Sequence, residues 1–142
     1  MIELEKISFR HENADVPSLK NVSLTIADGE CVLLCGESGS GKTTITRLIN
    51  GLIPHFYEGE LEGFAMVNGL NVTEAELYET AKLVGSVFQN PRSQFFCVDT
   101  TSELAFGCEN MGMPENEVNA RVDAAAKELK IEIGRASCRE RV

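Results

Sequence analysis

Eight consecutive residues, Gly36-Glu37-Ser38-Gly39-Ser40-Gly41-Lys42-Thr43, leave this chain few folds to choose from. Their spacing, Gly-x-x-x-x-Gly-Lys-Ser/Thr, is that of a phosphate-binding loop. Glycines admit the positive φ that turns successive N–H groups inward onto anion oxygens. A helix opening near Lys42 aims its partly positive N-terminus at the same point. Lys42 supplies a mobile charge for β- and γ-phosphates, the Thr43 hydroxyl a ligand for Mg²⁺, and Thr44 reaches an α-phosphate oxygen.

The flanks suit such a loop. Cys31–Cys35 is a continuous apolar run, which predicts a strand buried on both faces of a parallel sheet. No Cys-x-x-Cys or spaced His pair accompanies Cys31 and Cys35, so both read as small buried hydrophobes and not as metal ligands. After the loop, Ile45, Leu48 and Ile49 recur at helical spacing until Gly51. Upstream, residues 2–10 alternate in a slipped register, 11–17 turn, and Val22, Leu24 and Ile26 alternate again before Asp28-Gly29. This predicts an antiparallel pair.

Downstream, Glu60–Asn68 reads as a strand closed by Asn68-Gly69, and Thr73 as the cap of a short helix through about Lys82. Leu83–Phe88 is a second apolar strand, closed by Gln89-Asn90-Pro91. A helix follows Thr100-Thr101, and Pro114 at a first helical position opens another with Val118, Val122, Ala125 and Leu129 on one face.

A chain of 142 residues, 43% hydrophobic and 25% charged, has the size of one globular domain at most. Its net charge of −9 argues against a general nucleic-acid partner, so phosphate affinity must rest on local geometry. No apolar run is long enough to cross a bilayer. The acidic start, Met1-Ile2-Glu3-Leu4-Glu5, is unlike a secretory leader. An odd number of cysteines (five) suits reduced, cytosolic thiols.

Four segments together carry a family resemblance: the loop, the run Val87-Phe88-Gln89-Asn90-Pro91-Arg92-Ser93-Gln94-Phe95-Phe96, the stretch Gly51–Gly59, and Leu104–Asn110. Over residues 1–131 the chain resembles the N-terminal part of an ATP-binding-cassette (ABC) transporter ATPase. The Gln89–Phe96 run is similar to the energy-coupling-factor branch, importers of vitamins and of cobalt or nickel. The resemblance implies an α/β P-loop fold, incomplete here. Residues 1–30 and roughly 59–70 would form an antiparallel β-subdomain beside a mostly parallel core with strands 31–35 and 83–88. Residues 100–131 would begin the helical subdomain.

It also implies ATP and Mg²⁺ as cofactors. Residues Gly36 to Thr44 would cradle the phosphates, Lys42 and Gln89 would serve catalysis, and Thr43 and Gln89 would bind the metal. His11 stands where the family usually has an aromatic stacked on adenine, and an imidazole stacks more weakly. Taken alone, Gln89 is a polar strand end and His11 an exposed turn residue. The implied partners are a transmembrane transporter component and a second ATPase subunit or cassette, with the protein peripheral on the cytoplasmic face of the membrane.

The family's Leu-Ser-Gly-Gly-Gln signature, its Asp-Glu strand end and its switch histidine lie downstream, and none occurs in these 142 residues. ATP binding is therefore expected of this chain and hydrolysis of the intact parent. Two alternatives fit less well. A GTPase would show Asn-Lys-x-Asp, and a small-molecule kinase would need an arginine-rich lid, where only Arg92 and Arg121 follow the loop helix before the tail. A short non-catalytic nucleotide-binding module is the third reading. Residues 132–142 hold Arg135, Arg139 and Arg141, lack apolar periodicity, and read as a foreign tail similar to a translated sequencing adapter.

Overall fold

The structure, a computed structural model, describes residues 1–131. The expected foreign tail, with Cys138, lies outside the described residues. The chain divides into two compact units, Met1–Ser86 and a second beginning at Val87.

The first unit is built on strands β1 (Ile2–His11), β2 (Leu19–Ile26), β3 (Gly59–Val67) and β4 (Leu70–Asn71). They form one antiparallel sheet in the order β2-β1-β3-β4, with Leu4 opposite both Leu24 and Ala65. A bulge explains the slipped alternation in β1. The register shifts between Leu4 and Ile7, where Lys6 takes φ 50°, and Gly63 faces it at φ 85°. A Cβ on Gly63 would stand 2.3 Å from the Glu5 carbonyl oxygen, so only glycine lets the strands close here. The extra residue returns Ile7 and Phe9 to the face that carries Leu4, and all three are buried.

Helix α1 (Lys42–Ile49) lays Leu48 on that face, and Leu19, Ala65, Val67, Val72 and Ile53 complete the core. Ile53 lies in the short kinked segment α2 (Leu52–His55), where its own backbone is extended (φ −109°, ψ 127°). The antiparallel sheet and the loop helix are thus as expected.

Other expectations are corrected. Residues 31–35 and 83–88 are not strands: among the described residues no strand pairs with either. An apolar run becomes a buried strand only where neighbours supply a ladder and cover both faces. Leu33 is accordingly 83% exposed, and Cys31 and Cys35 are exposed and not core residues. The helix expected from Thr73 is only α3 (Leu77–Thr80), with Glu76 at its N-cap. Thr73 lies four residues ahead of Leu77, too far to cap it, and its hydroxyl (2.7 Å) and N–H (3.2 Å) both donate to Asn71 Oδ1 instead.

The second unit holds a 3₁₀ turn (Pro91–Gln94) and the helices α4 (Thr100–Asn110) and α5 (Glu115–Leu129). Pro114 is the N-cap of α5 and not its first helical residue. The buried stripe of α5 is Val118, Val122 and Ala126, while Leu129 is 61% exposed. Val118 and Val122 pack with Ala105 of α4, and a single partner helix covers a narrower stripe than the expected face through Ala125 and Leu129. Among the described residues, no helix is long and apolar enough to cross a membrane.

Candidate functional site

The loop keeps its helix start open. The first hydrogen bond of α1 runs from the Ile45 N–H to the Gly41 carbonyl, at 3.0 Å. The N–H groups of residues 42–44 therefore have no partner within the helix and face its N-terminal end. Upstream, the Ser40 N–H closes a turn on the Glu37 carbonyl (3.2 Å), and Glu37, Ser38, Gly39 and Ser40 are exposed with Gly36.

Lys42 folds back across this loop. Its Nζ donates to the carbonyls of Gly36 (2.9 Å) and Glu37 (2.7 Å) and to Ser40 Oγ (3.2 Å). All three acceptors are neutral. A charged phosphate oxygen makes a stronger, charge-assisted bond to an ammonium, so an anion entering the loop can draw Nζ from these oxygens. Thr43 is exposed beside it, and Thr44 is 7% exposed. Among the described residues, no group of three or more His, Cys, Asp or Glu could hold a metal ion. The hydroxyl of Thr43 fits Mg²⁺ only together with oxygens brought by a phosphate ligand.

Gly41 ties the loop to the sheet. It takes φ 88°, and a Cβ there would stand 2.7 Å from Leu19 Cδ2 and 2.8 Å from the Ser18 carbonyl oxygen. Leu19 pairs with Phe9 across β1 and β2, and the Ser18 N–H donates to the Phe9 carbonyl (2.8 Å). His11 ends the same strand β1, two residues beyond Phe9. The loop and the strand carrying His11 thus share one anchor.

His11 is half-buried, not a freely exposed turn residue. Its ring stands edgewise to Phe9 (centroids 4.7 Å apart, planes at 79°) and to Tyr57 (6.4 Å, 78°). The Arg47 guanidinium of α1 lies 4.0 Å from the centre of the Tyr57 ring. Neither Tyr57 nor Arg47 carries a periodic or motif signal of its own in the sequence, although Tyr57 falls within the Gly51–Gly59 stretch that bears the family resemblance.

Gln89 belongs to the second unit, where it is exposed at a bend. Its loop is closed by Gln94 Oε1, which accepts the Phe88 N–H (2.9 Å), and by the Ser93 hydroxyl, which donates to the Asn90 carbonyl (2.7 Å). Further on, the Glu103 carboxylate accepts the N–H groups of Phe96 (3.0 Å) and Cys97 (2.7 Å). Desolvation, then the nearby Glu103 carboxylate, holds the Cys97 thiol above its ordinary 9.0, so it stays protonated and is a poor nucleophile. Asp99 caps α4, and bonds from the Ser102 N–H and hydroxyl hold its carboxyl below the ordinary 3.8. Both residues serve the entry to α4.

Against known proteins, a family model described as ABC transporter matches residues 19–140. A Treponema denticola protein named as an ABC transporter ATP-binding protein is 52% identical over 132 residues, which are 93% of this chain and 27% of that protein. A Pyrococcus abyssi protein of the same name is 43% identical over 131 residues, 92% of this chain and 47% of that one. Among solved structures, CbiO1 from Clostridium perfringens, described as part of the ABC transporter complex CbiONQ, superposes with a TM-score of 0.76 at 26% identity. That match covers 92% of this chain and 51% of CbiO1. The ATP-binding cassette MJ0796, solved as a dimer with ADP and Pi, superposes at 0.68 with 24% identity and agrees in fold. It covers 94% of this chain and 59% of that one. This chain spans about half or less of the two relatives' lengths.

Proposed function

This chain belongs to the ABC transporter family of ATP-binding domains, and on that premise we propose that residues 36–44 hold the phosphates of ATP. The observation that carries the reading is Lys42 Nζ resting on the carbonyls of Gly36 and Glu37, at the open start of α1. When ATP arrives, Nζ exchanges these neutral acceptors for β- and γ-phosphate oxygens, and the N–H groups of residues 42–44 donate to the same anion. Thr43 would supply a ligand to Mg²⁺, which would offset the triphosphate charge. His11 stacks on the adenine.

In the whole protein, hydrolysis of that ATP drives import of a small molecule, a vitamin or a metal ion, through a transporter of the energy-coupling-factor type. Support comes from the likeness to CbiO1, part of CbiONQ, and from the Gln89–Phe96 run. The partners are a transmembrane component and a second ATPase cassette, with the protein peripheral on the cytoplasmic face of the membrane. We read residues 1–131 as the front of the cassette and 132–142 as an added tail, a reading that rests on the arginines there. The family match itself extends to residue 140.

The test is titration of ATP into the full-length protein and its Lys42→Ala variant. A lost charge-assisted bond should weaken binding by about 1.5–3 kcal/mol. Equal affinity of the two would refute the assignment.

A further inference from the structure

Tyr57 is held from several sides. Its N–H donates to the Leu52 carbonyl (2.9 Å), as does that of Phe56 (2.8 Å), so the backbone leaving α2 is pinned. The Phe56 ring lies edgewise to Tyr57 at 5.5 Å, and Arg47 lies 4.0 Å from the ring centre. A guanidinium at this distance is attracted by the ring's electron-rich face. Tyr57 also meets His11 at 78°, and the centroid distance of 6.4 Å lies within the range of favourable edge-to-face pairs. Phe9, fully buried, is the second wall against His11.

We infer that Tyr57, clamped by Arg47, is a positioning residue for the base: it sets the plane of the His11 ring on which adenine stacks. The inference rests on the proposed role of His11. An imidazole offers a smaller face than a phenol, so less overlap survives a tilt, and a ring fixed before binding loses less rotamer freedom when the base arrives. Arg47 stands five residues after Lys42 on α1, about one and a half helical turns. One short helix therefore bears on the phosphate end through Lys42 and on the base end through Arg47 and Tyr57.

The two ends are separated by measuring two ligands, ATP and inorganic tripolyphosphate, which lacks a base. Calorimetric titrations use the full-length protein with Tyr57→Ala, Tyr57→Phe, Arg47→Met, His11→Ala and the His11→Ala/Tyr57→Ala pair. Tyr57→Ala should weaken ATP about three- to tenfold, the worth of an aromatic pair, and leave tripolyphosphate unchanged. Tyr57→Phe keeps the ring and should bind as wild type. Arg47→Met, which removes the clamp and leaves Tyr57 in place, should show the Tyr57→Ala pattern more weakly. In the His11→Ala background, Tyr57→Ala should add nothing. Equal weakening of both ligands by Tyr57→Ala would make Tyr57 a structural prop and overturn the inference. So would an undiminished effect without His11. If His11→Ala weakens ATP while Tyr57→Ala and Arg47→Met do not, the inference alone falls. If His11→Ala leaves ATP affinity untouched, the stacking role of His11 falls and the inference with it.

Discussion

Gly41 lies against Leu19 so closely that a Cβ on the glycine would stand 2.7 Å from a Leu19 methyl group. Leu19 is buried and paired with Phe9, so it cannot retreat without disturbing the sheet core. The Ser18 carbonyl on the same side, 2.8 Å from that Cβ position, is backbone and yields even less. The glycine loop is thereby fixed at its C-terminal end to the strand pair that leads to His11.

A comparison of two glycines follows from that contact. Gly39 and Gly41 both take left-handed φ, 81° and 88°, but a Cβ on Gly39 meets nothing within 4 Å. Gly39→Ala should cost about 1–2 kcal/mol for the backbone conformation alone. Gly41→Ala adds the collision with Leu19 and Ser18 and should cost clearly more. Urea unfolding of the two variants measures the difference, and equal midpoints would mean that the loop is not seated on Leu19.

In the second unit, the narrow stripe of α5 makes Val122 and Leu129 unequal. Val122 is 5% exposed and packs near Ala105, whereas Leu129 faces solvent. Val122→Ala should destabilise by about 1–2 kcal/mol from two lost buried methyl groups. Leu129→Ala should change stability by less than about 0.5 kcal/mol. Thermal unfolding of both variants checks the order.

Acid should loosen the start of α4 through Asp99. Its folded carboxyl titrates below the ordinary 3.8 because Ser102 donates to the ionised form. The cap therefore adds full stability above that ordinary value and loses it as pH falls through the lower folded value. Asp99→Asn retains an acceptor for the Ser102 N–H and does not titrate, so its pH profile should be flatter at the acid end. Circular dichroism of wild type and variant over the acid range distinguishes them.

Phosphate release by the 142-residue chain should not exceed that of its Lys42→Ala variant. The chain contains the proposed phosphate cradle and Gln89 but no Leu-Ser-Gly-Gly-Gln segment. Phosphoryl transfer depends almost wholly on positioning and electrostatic stabilisation. Turnover near the ~1–10³ s⁻¹ usual for enzymes, abolished by Lys42→Ala, would show that these residues suffice.

The loop, the two-residue turn at Asn68-Gly69 and the three long strands β1, β2 and β3 were legible because each is written in neighbouring residues, whereas the two-residue β4 left no such mark. Even the β1 bulge left its trace, as the three-residue step from Leu4 to Ile7. The runs 31–35 and 83–88 misled for the opposite reason: apolar composition reports a preference for burial, whereas a ladder needs a partner strand elsewhere in the chain. Thr73 gave no cap because the helix begins only at Leu77, with Glu76 before it. The Arg47–Tyr57 pair has no periodic signature. It forms because α2 turns the chain back on α1, which only the folded chain reveals.

The unpaired segment before the loop has a consequence for handling the protein. Residues 31–35 present main-chain donors and acceptors beside exposed Val32 and Leu33, and Leu33 lies three residues from Gly36. An extended apolar stretch without ladder partners is a template for strand addition by another copy. Self-association at that stretch should therefore rise with protein concentration and fall on dilution.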